Sequence, residues 1–203
     1  MTLRFAGVVP AAGASRRMGT PKALLTLDGR TFLERVVHAL AEGGCHPVSV
    51  VVAKGDDATA AEAERAGAVV LSNPEPGEGP ITSLRLALAE LEPDIDGIAW
   101  LPLDHPLVAP EVVRTILEEA ATGGSLLTLP VHGEKRGHPA VFRRALFAEL
   151  RDPALEGGAR TVVHRHLHEA RLVPIDDPGV IEDIDTPEAY DRILAVRSSG
   201  TGP

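Results

Sequence analysis

The chain has 203 residues, 44% hydrophobic and 24% charged, with 20 glycines and 17 prolines: an ordinary globular α/β make-up, long enough for a substantial core. A formal charge of −9 and a pI of about 5.3 argue against a general nucleic-acid or membrane binder, and aromatics at 3% leave little for stacking single-stranded bases. The lone Cys45 excludes an internal disulfide and a cysteine-based zinc site, and it fits a reducing, cytoplasmic setting.

A short apolar run, Leu3 to Val9, is predicted to be a buried strand. It is too short for a signal sequence, and no run in the chain approaches the ~18 residues of a membrane span. The strand opens directly into a loop of small residues, Pro10 to Lys22. Asp28-Gly29 is a turn dipeptide, after which Thr31 caps a helix with Glu34 completing a capping box and Gly43-Gly44 ending it. Val48 to Ala53 is a valine-rich apolar run, broken only by Ser49, the pattern of a strand covered on both faces. Helix is expected over Ala58 to Ala66 and strand over Ala68 to Leu71, followed by a turn-rich loop from Asn73 to Pro80 and helix over Thr82 to Leu91. Gly97 to Leu103 is a second covered strand, ending at Asp104.

Beyond it, Pro110 starts a helix to Ala121, Ser125 to Val131 forms a strand, and His132 to His138 forms a polar loop. Pro139 to Phe142 is extended and Arg143 to Leu150 helical. Helix follows Gly157-Gly158 as far as His168, Leu172 to Ile175 is a strand, and the last helix, Glu188 to Val196, is opened by Thr186-Pro187. Strand and helix alternating this regularly predict a three-layer α/β/α fold around a mostly parallel, Rossmann-like sheet. One domain is expected over residues 1–197, with a disordered tail over 198–203.

The loop after the first strand reads V-V-P-A-A-G-A-S-R-R-M-G-T-P-K from Val8 to Lys22 and concentrates Arg16, Arg17 and Lys22 in an acidic chain. Small residues let backbone N–H groups approach a ligand closely, and cations neutralise it, so the loop is suited to a polyphosphate. It is not a Walker loop, because five residues separate Gly13 from Gly19 and Lys22 follows three places later. Nor is it the dinucleotide fingerprint, since Gly13 stands where three glycines should cluster. A strand-to-helix turn with a solvated basic patch is the bland alternative.

Open parallel sheets bind ligands at the carboxyl ends of their strands, where the Asn73–Ser83 loop and Asp104 also fall. A carboxylate at a buried strand tip suits Mg²⁺, which takes few protein oxygens plus substrate phosphates; capping the helix near Pro110 is the alternative role for Asp104. Asp183 and Asp185 form a second carboxylate pair; either is a candidate to join Asp104, and capping the last helix is the alternative role for Asp185. His164, His166 and His168 lack carboxylates at ligand spacing and read as a solvated helix, whereas His105 and His138 lie in loops. No nucleophile elbow is present, and Cys45 has no evident base.

The pattern A-A-G-x-S-x-R-M-G-x-P-K-x-L, Ala11 to Leu24, resembles the signature loop of the MobA-like nucleotidyltransferases. Matching segments continue through Asn73-Pro74, Gly79, Ser83-Leu84, Leu103-Asp104-His105-Pro106, Arg136-Gly137-His138-Pro139, Gly157-Gly158-Ala159-Arg160 and Asp183-Ile184-Asp185-Thr186-Pro187 with Tyr190. Together they cover roughly residues 5 to 195 and are most similar to the molybdenum cofactor cytidylyltransferase branch. The resemblance implies a nucleotide-diphospho-sugar transferase type of fold and transfer of a nucleoside monophosphate, CMP from CTP, to an acceptor phosphate with release of pyrophosphate. It places Ala11, Ala12, Gly13 and Ser15 along the nucleotide, Arg16 and Lys22 on its triphosphate, and Gly79 and Ser83 at the base. It also implies Mg²⁺ on Asp104 and Asp185, and His105, His138 and Arg160 on the side of a phosphorylated pterin acceptor, molybdopterin or molybdenum cofactor. The partner it implies for the product is a molybdoenzyme or its maturation factor.

Two departures lie toward the acceptor: His105 stands where that branch commonly has Gln, and Leu155-Glu156 precede the glycine pair where an Asp is usual. Guanylyl transfer to the same cofactor, a sugar- or alditol-phosphate acceptor, and a non-catalytic pterin carrier are the alternatives.

Overall fold

The computed structural model describes residues 3–13 and 18–198. The first strand, β1 (Phe5–Pro10), lies at the centre of an eight-stranded sheet. On one side it pairs in parallel with β4 (Val48–Ala53), which pairs in parallel with the edge strand β5 (Val69–Asn73). On the other it pairs in parallel with β6 (Gly97–Trp100), so the chain reverses its direction of travel across the sheet at β1. Such a switch point leaves a crevice between the carboxyl ends of neighbouring strands. Beyond β6 come β9 (Ala140–Arg143), antiparallel to both its neighbours, then β7 (Leu127–His132) and the parallel edge strand β10 (Arg171–Pro174). The two-residue β8 (Lys135–Arg136) folds back on β7, and β2 (Thr26–Leu27) with β3 (Arg30–Thr31) forms a separate hairpin.

Each covered strand sends alternate residues to two cores, which is why the runs at Phe5 and Val48 are apolar apart from the buried Ser49. Phe5, Val9, Val50 and Val52 pack with α1 (Phe32–Glu42), α4 (Pro110–Thr122) and Ala63 of α2 (Asp57–Arg65). Ala189, Tyr190 and Ile193 of α7 (Pro187–Ser198) lean on the same side. Ala6, Val8, Val51, Trp100 and Phe142 pack on the opposite face with α3 (Pro80–Ala89), α5 (Phe147–Arg151) and α6 (Ala159–His166). The layers are those expected of a three-layer α/β/α protein.

Local chemistry accounts for most of the boundaries. Asp28 (φ 53°) and Gly29 (φ 78°) form the two-residue turn of the β2–β3 hairpin. Thr31 caps α1 by accepting the Glu34 amide at 3.0 Å, while the Glu34 carboxylate takes Arg65 at 3.4 Å. Asp56, not anticipated as a cap, does the same for α2 through the Thr59 amide at 3.1 Å. The third helix begins two residues earlier than expected because Pro80 occupies its first turn, where a missing N–H is harmless. β6 ends sooner than its apolar run, because Pro102 has no amide to continue the ladder after Leu101 donates to Val8 at 3.1 Å. Residues expected to be one helix over Arg143–Leu150 divide into the end of β9, a 3-10 turn at Arg144–Leu146, and α5. Ser198, the first residue of the expected tail, closes α7, and 199–203 lie outside the described residues. No helix among the described residues is long and apolar enough to cross a membrane.

Candidate active site

Three loops meet at the crevice and enclose a cavity of about 1100 Å³. Ala11, Ala12 and Gly13 enter from β1, with the Ala11 amide bound to the Val51 carbonyl at 2.8 Å, which fixes the direction in which the loop leaves the sheet. Ser15 and Arg16, assigned to the nucleotide by resemblance, lie outside the described residues. Lys22 returns to the cavity in the 3-10 turn Lys22–Leu24. From the far wall come Gly79 and Ser83. Their loop is closed by Asn73, whose side-chain amide donates to Thr82 Oγ1 at 2.9 Å and Ser83 Oγ at 3.1 Å, while its carbonyl accepts the Glu75 amide at 2.9 Å. This clip was not foreseen; Asn before Pro at a strand end was its only sequence signal.

Asp104 forms the floor of the cavity. It does not cap α4, whose N-cap is Ala109 with no side-chain bond. The Asp104 carbonyl instead accepts the Ile184 amide at 2.8 Å, which draws the Asp183–Asp185 segment against it. Ile184 is buried and Asp183 exposed, and Asp185 turns into the cavity and pairs with Lys22. The last helix is capped by Thr186, which accepts the Ala189 amide at 3.2 Å, so Asp185 is not the cap. Burial pushes the Asp104 carboxyl above the ordinary carboxylate range; the Lys22 charge opposes this, and the Asp185 charge adds to it. Asp104 Oδ1 is buried with no hydrogen-bond partner among the described residues. An orphaned carboxylate oxygen beside a second carboxylate is a donor set that fits a hard divalent cation.

A second cavity, about 780 Å³, adjoins the first, with Pro80 and Pro102 lining both. Its body is apolar, with Trp100, Leu129 and Phe142, and its charged side chains are Arg85, Arg136 and Arg160 with Glu78. His138 also lines it. Gly137 allows that placement: its amide donates to Pro130 at 2.9 Å and that of His138 to Val180 at 2.8 Å, and a Cβ at Gly137 would stand 2.1 Å from the Val180 carbonyl oxygen. His105 lines neither cavity; it is buried behind His138, with ring centroids 4.6 Å apart. Burial lowers both imidazoles to about 4, so both are neutral at pH 7.

Arg160 is exposed in the first turn of α6, its Nε 3.4 Å from His164 Nε2. His166 pairs with Glu149 at 2.7 Å and His168 with Glu169 at 2.8 Å. No cluster of three or more metal-ligating side chains occurs among the described residues, and the three histidines act separately. Arg85 and Trp100 escaped notice because each sits within an apolar run, where the pattern announces only core. Arg85 donates to the Asp152 carbonyl at 2.6 Å, yet its Nε is buried with no partner among the described residues.

Known proteins resemble this chain in sequence and fold. The chain is 30% identical over 196 residues to a nicotine blue oxidoreductase of Paenarthrobacter nicotinovorans, covering 93% of this chain and 95% of that protein. It is 31% identical over 202 residues to a probable molybdenum cofactor guanylyltransferase of Mycobacterium avium, covering 96% of each. A 2-C-methyl-D-erythritol 4-phosphate cytidylyltransferase of Saccharopolyspora erythraea is 31% identical over 191 residues, covering 87% of this chain and 84% of that one. Among solved structures, Rv0371c of Mycobacterium tuberculosis superposes with a TM-score of 0.82 at 29% identity over 96% of this chain and 100% of that one. Its complex with manganese superposes at 0.77 with 27% identity, over 95% and 98% of the two chains. The MobA-like NTP transferase domain matches residues 7–170, which hold both cavities almost entire. With the crevice at β1, the small-residue loop and the buried acid at Asp104, this match makes the chain a member of the MobA-like nucleotidyltransferase family.

Proposed function

We propose that residues 1–197 form one cytoplasmic nucleotidyltransferase domain that transfers CMP from CTP to the phosphate of a pterin cofactor, releasing pyrophosphate. The observation that carries this reading is the seam between the two cavities, where the orphaned Asp104 carboxylate and Lys22 face a loop of small residues while arginines fringe the other side. Ala11, Ala12, Gly13, Ser15, Gly79 and Ser83 hold the nucleotide, with Arg16 and Lys22 on the triphosphate. Asp104 and Asp185 would hold Mg²⁺, which when bound neutralises phosphate charge. A phosphate oxygen of the acceptor attacks the α-phosphorus in line, and the bond to the bridging oxygen of pyrophosphate breaks. Lys22 balances the charge that gathers on the leaving group, and the loops hold the reacting atoms in line. No side chain forms a covalent intermediate. His138 and Arg160 orient the acceptor, with Arg85 and Arg136 beside them, and His105 supports His138 from behind. A molybdoenzyme or its maturation factor receives the product.

By resemblance to the cytidylyltransferase branch, the Ala-Ala-Gly run at Ala11 to Gly13 supports a pyrimidine donor. Guanylyl transfer is the second reading, favoured by the guanylyltransferase relative that spans the whole fold. The test is a thermal-shift panel of the four triphosphates with Mg²⁺, followed by pyrophosphate release with a phosphorylated pterin or an alditol phosphate as acceptor. A ligand that binds only the folded chain raises its melting temperature. A CTP-selective rise and pyrophosphate release with the pterin are expected. A GTP-selective rise moves the protein to the second reading. A rise with NAD(P)H and with no triphosphate overturns both.

A further inference from the structure

We propose that Arg35, which lines neither cavity, is a positioning residue that holds the Lys22 turn and the Asp104 loop at a fixed separation. The inference rests on the reading above, in which Lys22 and Asp104 serve one triphosphate. Arg35 stands near the start of α1, with its side chain 21% exposed. Its Nε donates to the carbonyl of the buried Pro106 at 2.9 Å, two residues beyond Asp104. Its Nη1 donates to the Leu27 carbonyl at 3.4 Å and lies 3.5 Å from Asp28 Oδ2, both in the hairpin that directly follows the Lys22–Leu24 turn. One planar guanidinium therefore spans the loop that carries the acid and the hairpin next to the ammonium.

The C-terminal segment joins the same two parts by a longer route. Tyr190 Oη donates to the Thr26 carbonyl at 2.6 Å, its ring meets Phe32 edge-on at 5.7 Å, and Arg197 pairs with Asp28. The stretch that opens α7 reaches Asp104 through the Ile184 amide at 2.8 Å. Those contacts are spread along a helix and the turn before it, whereas Arg35 makes the connection through a single rigid fork. Transfer in line needs the groups around the phosphates held to a fraction of an ångström, and such precision comes from buried side chains behind the site. A side chain that merely fills space there makes no such connection: its removal lowers stability and leaves turnover of the folded protein as it was.

The test compares wild type with Arg35→Lys and Arg35→Met in the full chain. Lysine keeps the charge but has one nitrogen, so it cannot hold Pro106 and Leu27 together; methionine removes both bonds. Three quantities are measured: the rise in melting temperature with CTP or GTP and Mg²⁺, pyrophosphate release with the phosphorylated pterin, and hydrogen–deuterium exchange without ligand. Both variants are expected to show a smaller triphosphate-induced rise and a kcat lowered about tenfold or more, with the acceptor KM nearly unchanged. Faster exchange is expected over residues 24–32 and 104–108. Arg143→Lys is the control for lost stability: Arg143 Nη1 donates to the Ala120 carbonyl at 2.8 Å, and its strand pairs it with Gly97, at the end of β6 away from the crevice. That variant is expected to lose melting temperature while keeping the wild-type kcat and triphosphate-induced rise. A wild-type kcat and rise in both Arg35 variants, or losses that track melting temperature alike at Arg35 and Arg143, overturn the positioning role and leave the nucleotidyltransferase reading standing. If no triphosphate raises the melting temperature of wild type, that reading and this inference fall together.

Discussion

At the scale of single residues, the site is defined by polar groups kept from water without full compensation. Asp104 is the clearest case: its carboxyl is raised by burial, and Oδ1 has no hydrogen-bond partner among the described residues, with His105 Nε2 no nearer than 3.8 Å. Because its folded pKa lies above the unfolded one, the ionised form at neutral pH destabilises the fold. Asp104→Asn is therefore expected to raise the Tm of the ligand-free protein in calorimetry, while turnover falls by at least ~100-fold. The buried imidazoles work in the opposite sense. In the unfolded chain they titrate near 6.5 and in the folded one near 4, so between those values only the unfolded chain takes up their protons. Stability present above pH 6.5 is thus lost as the pH falls toward 4, by on the order of 2 kcal/mol per histidine. Urea unfolding at pH 7.5 and pH 5 measures the loss, and His138→Gln is expected to flatten it. None of this is legible in the local sequence, where His105 and His138 are simply histidines in polar loops. Burial and the packing of one ring behind the other arise only when the loops after β6 and before β9 converge.

At the scale of elements, local signals act reliably and non-local pairing does not announce itself. The cap at Thr31, the hairpin turn at Asp28-Gly29 and the start of α7 at Thr186-Pro187 each need only neighbouring residues, and each is where the sequence places it. The Asn73 clip and the convergence of the Asp183–Asp185 segment on Asp104 depend on contacts between segments, and short-range patterns carry no trace of them. The same applies to the seat of His138. Gly137 passes so close to Val180 that Gly137→Ala forces one of the two segments to move. That substitution is expected to lower stability by about 1–3 kcal/mol in denaturant unfolding, with acceptor binding reduced more than nucleotide binding.

For the whole molecule, the sheet order sets two cavities side by side. The switch at β1 opens one of them, the proposed donor site, and the antiparallel insertion of β9 beside β6 brings Ala140, Phe142 and His138 to the wall of the other. Trp100, the chain's one tryptophan, stands at the end of β6 in that second wall. Its fluorescence should therefore report acceptor and not donor: a phosphorylated pterin is expected to shift or quench the emission, while a triphosphate alone leaves it nearly unchanged. Trp100→Phe serves as the control for direct absorption by the ligand. Equal responses to the two ligands would merge the two cavities into one functional space.

The alternation of covered strands and amphipathic helices, the small-residue, cation-rich make-up of the first loop and the acid at a strand tip were determined by the sequence alone. Each follows from periodicity, residue size or charge within a short stretch of chain. Tertiary structure decided that Asp185 rather than Asp183 faces the site, that Lys22 meets it there, that His105 lies behind His138, and that arginines fringe an apolar cavity next to the one lined by Asp104. Those facts depend on which distant segments share a boundary, and that is set by the packing of both faces of the sheet at once rather than by any one stretch of residues.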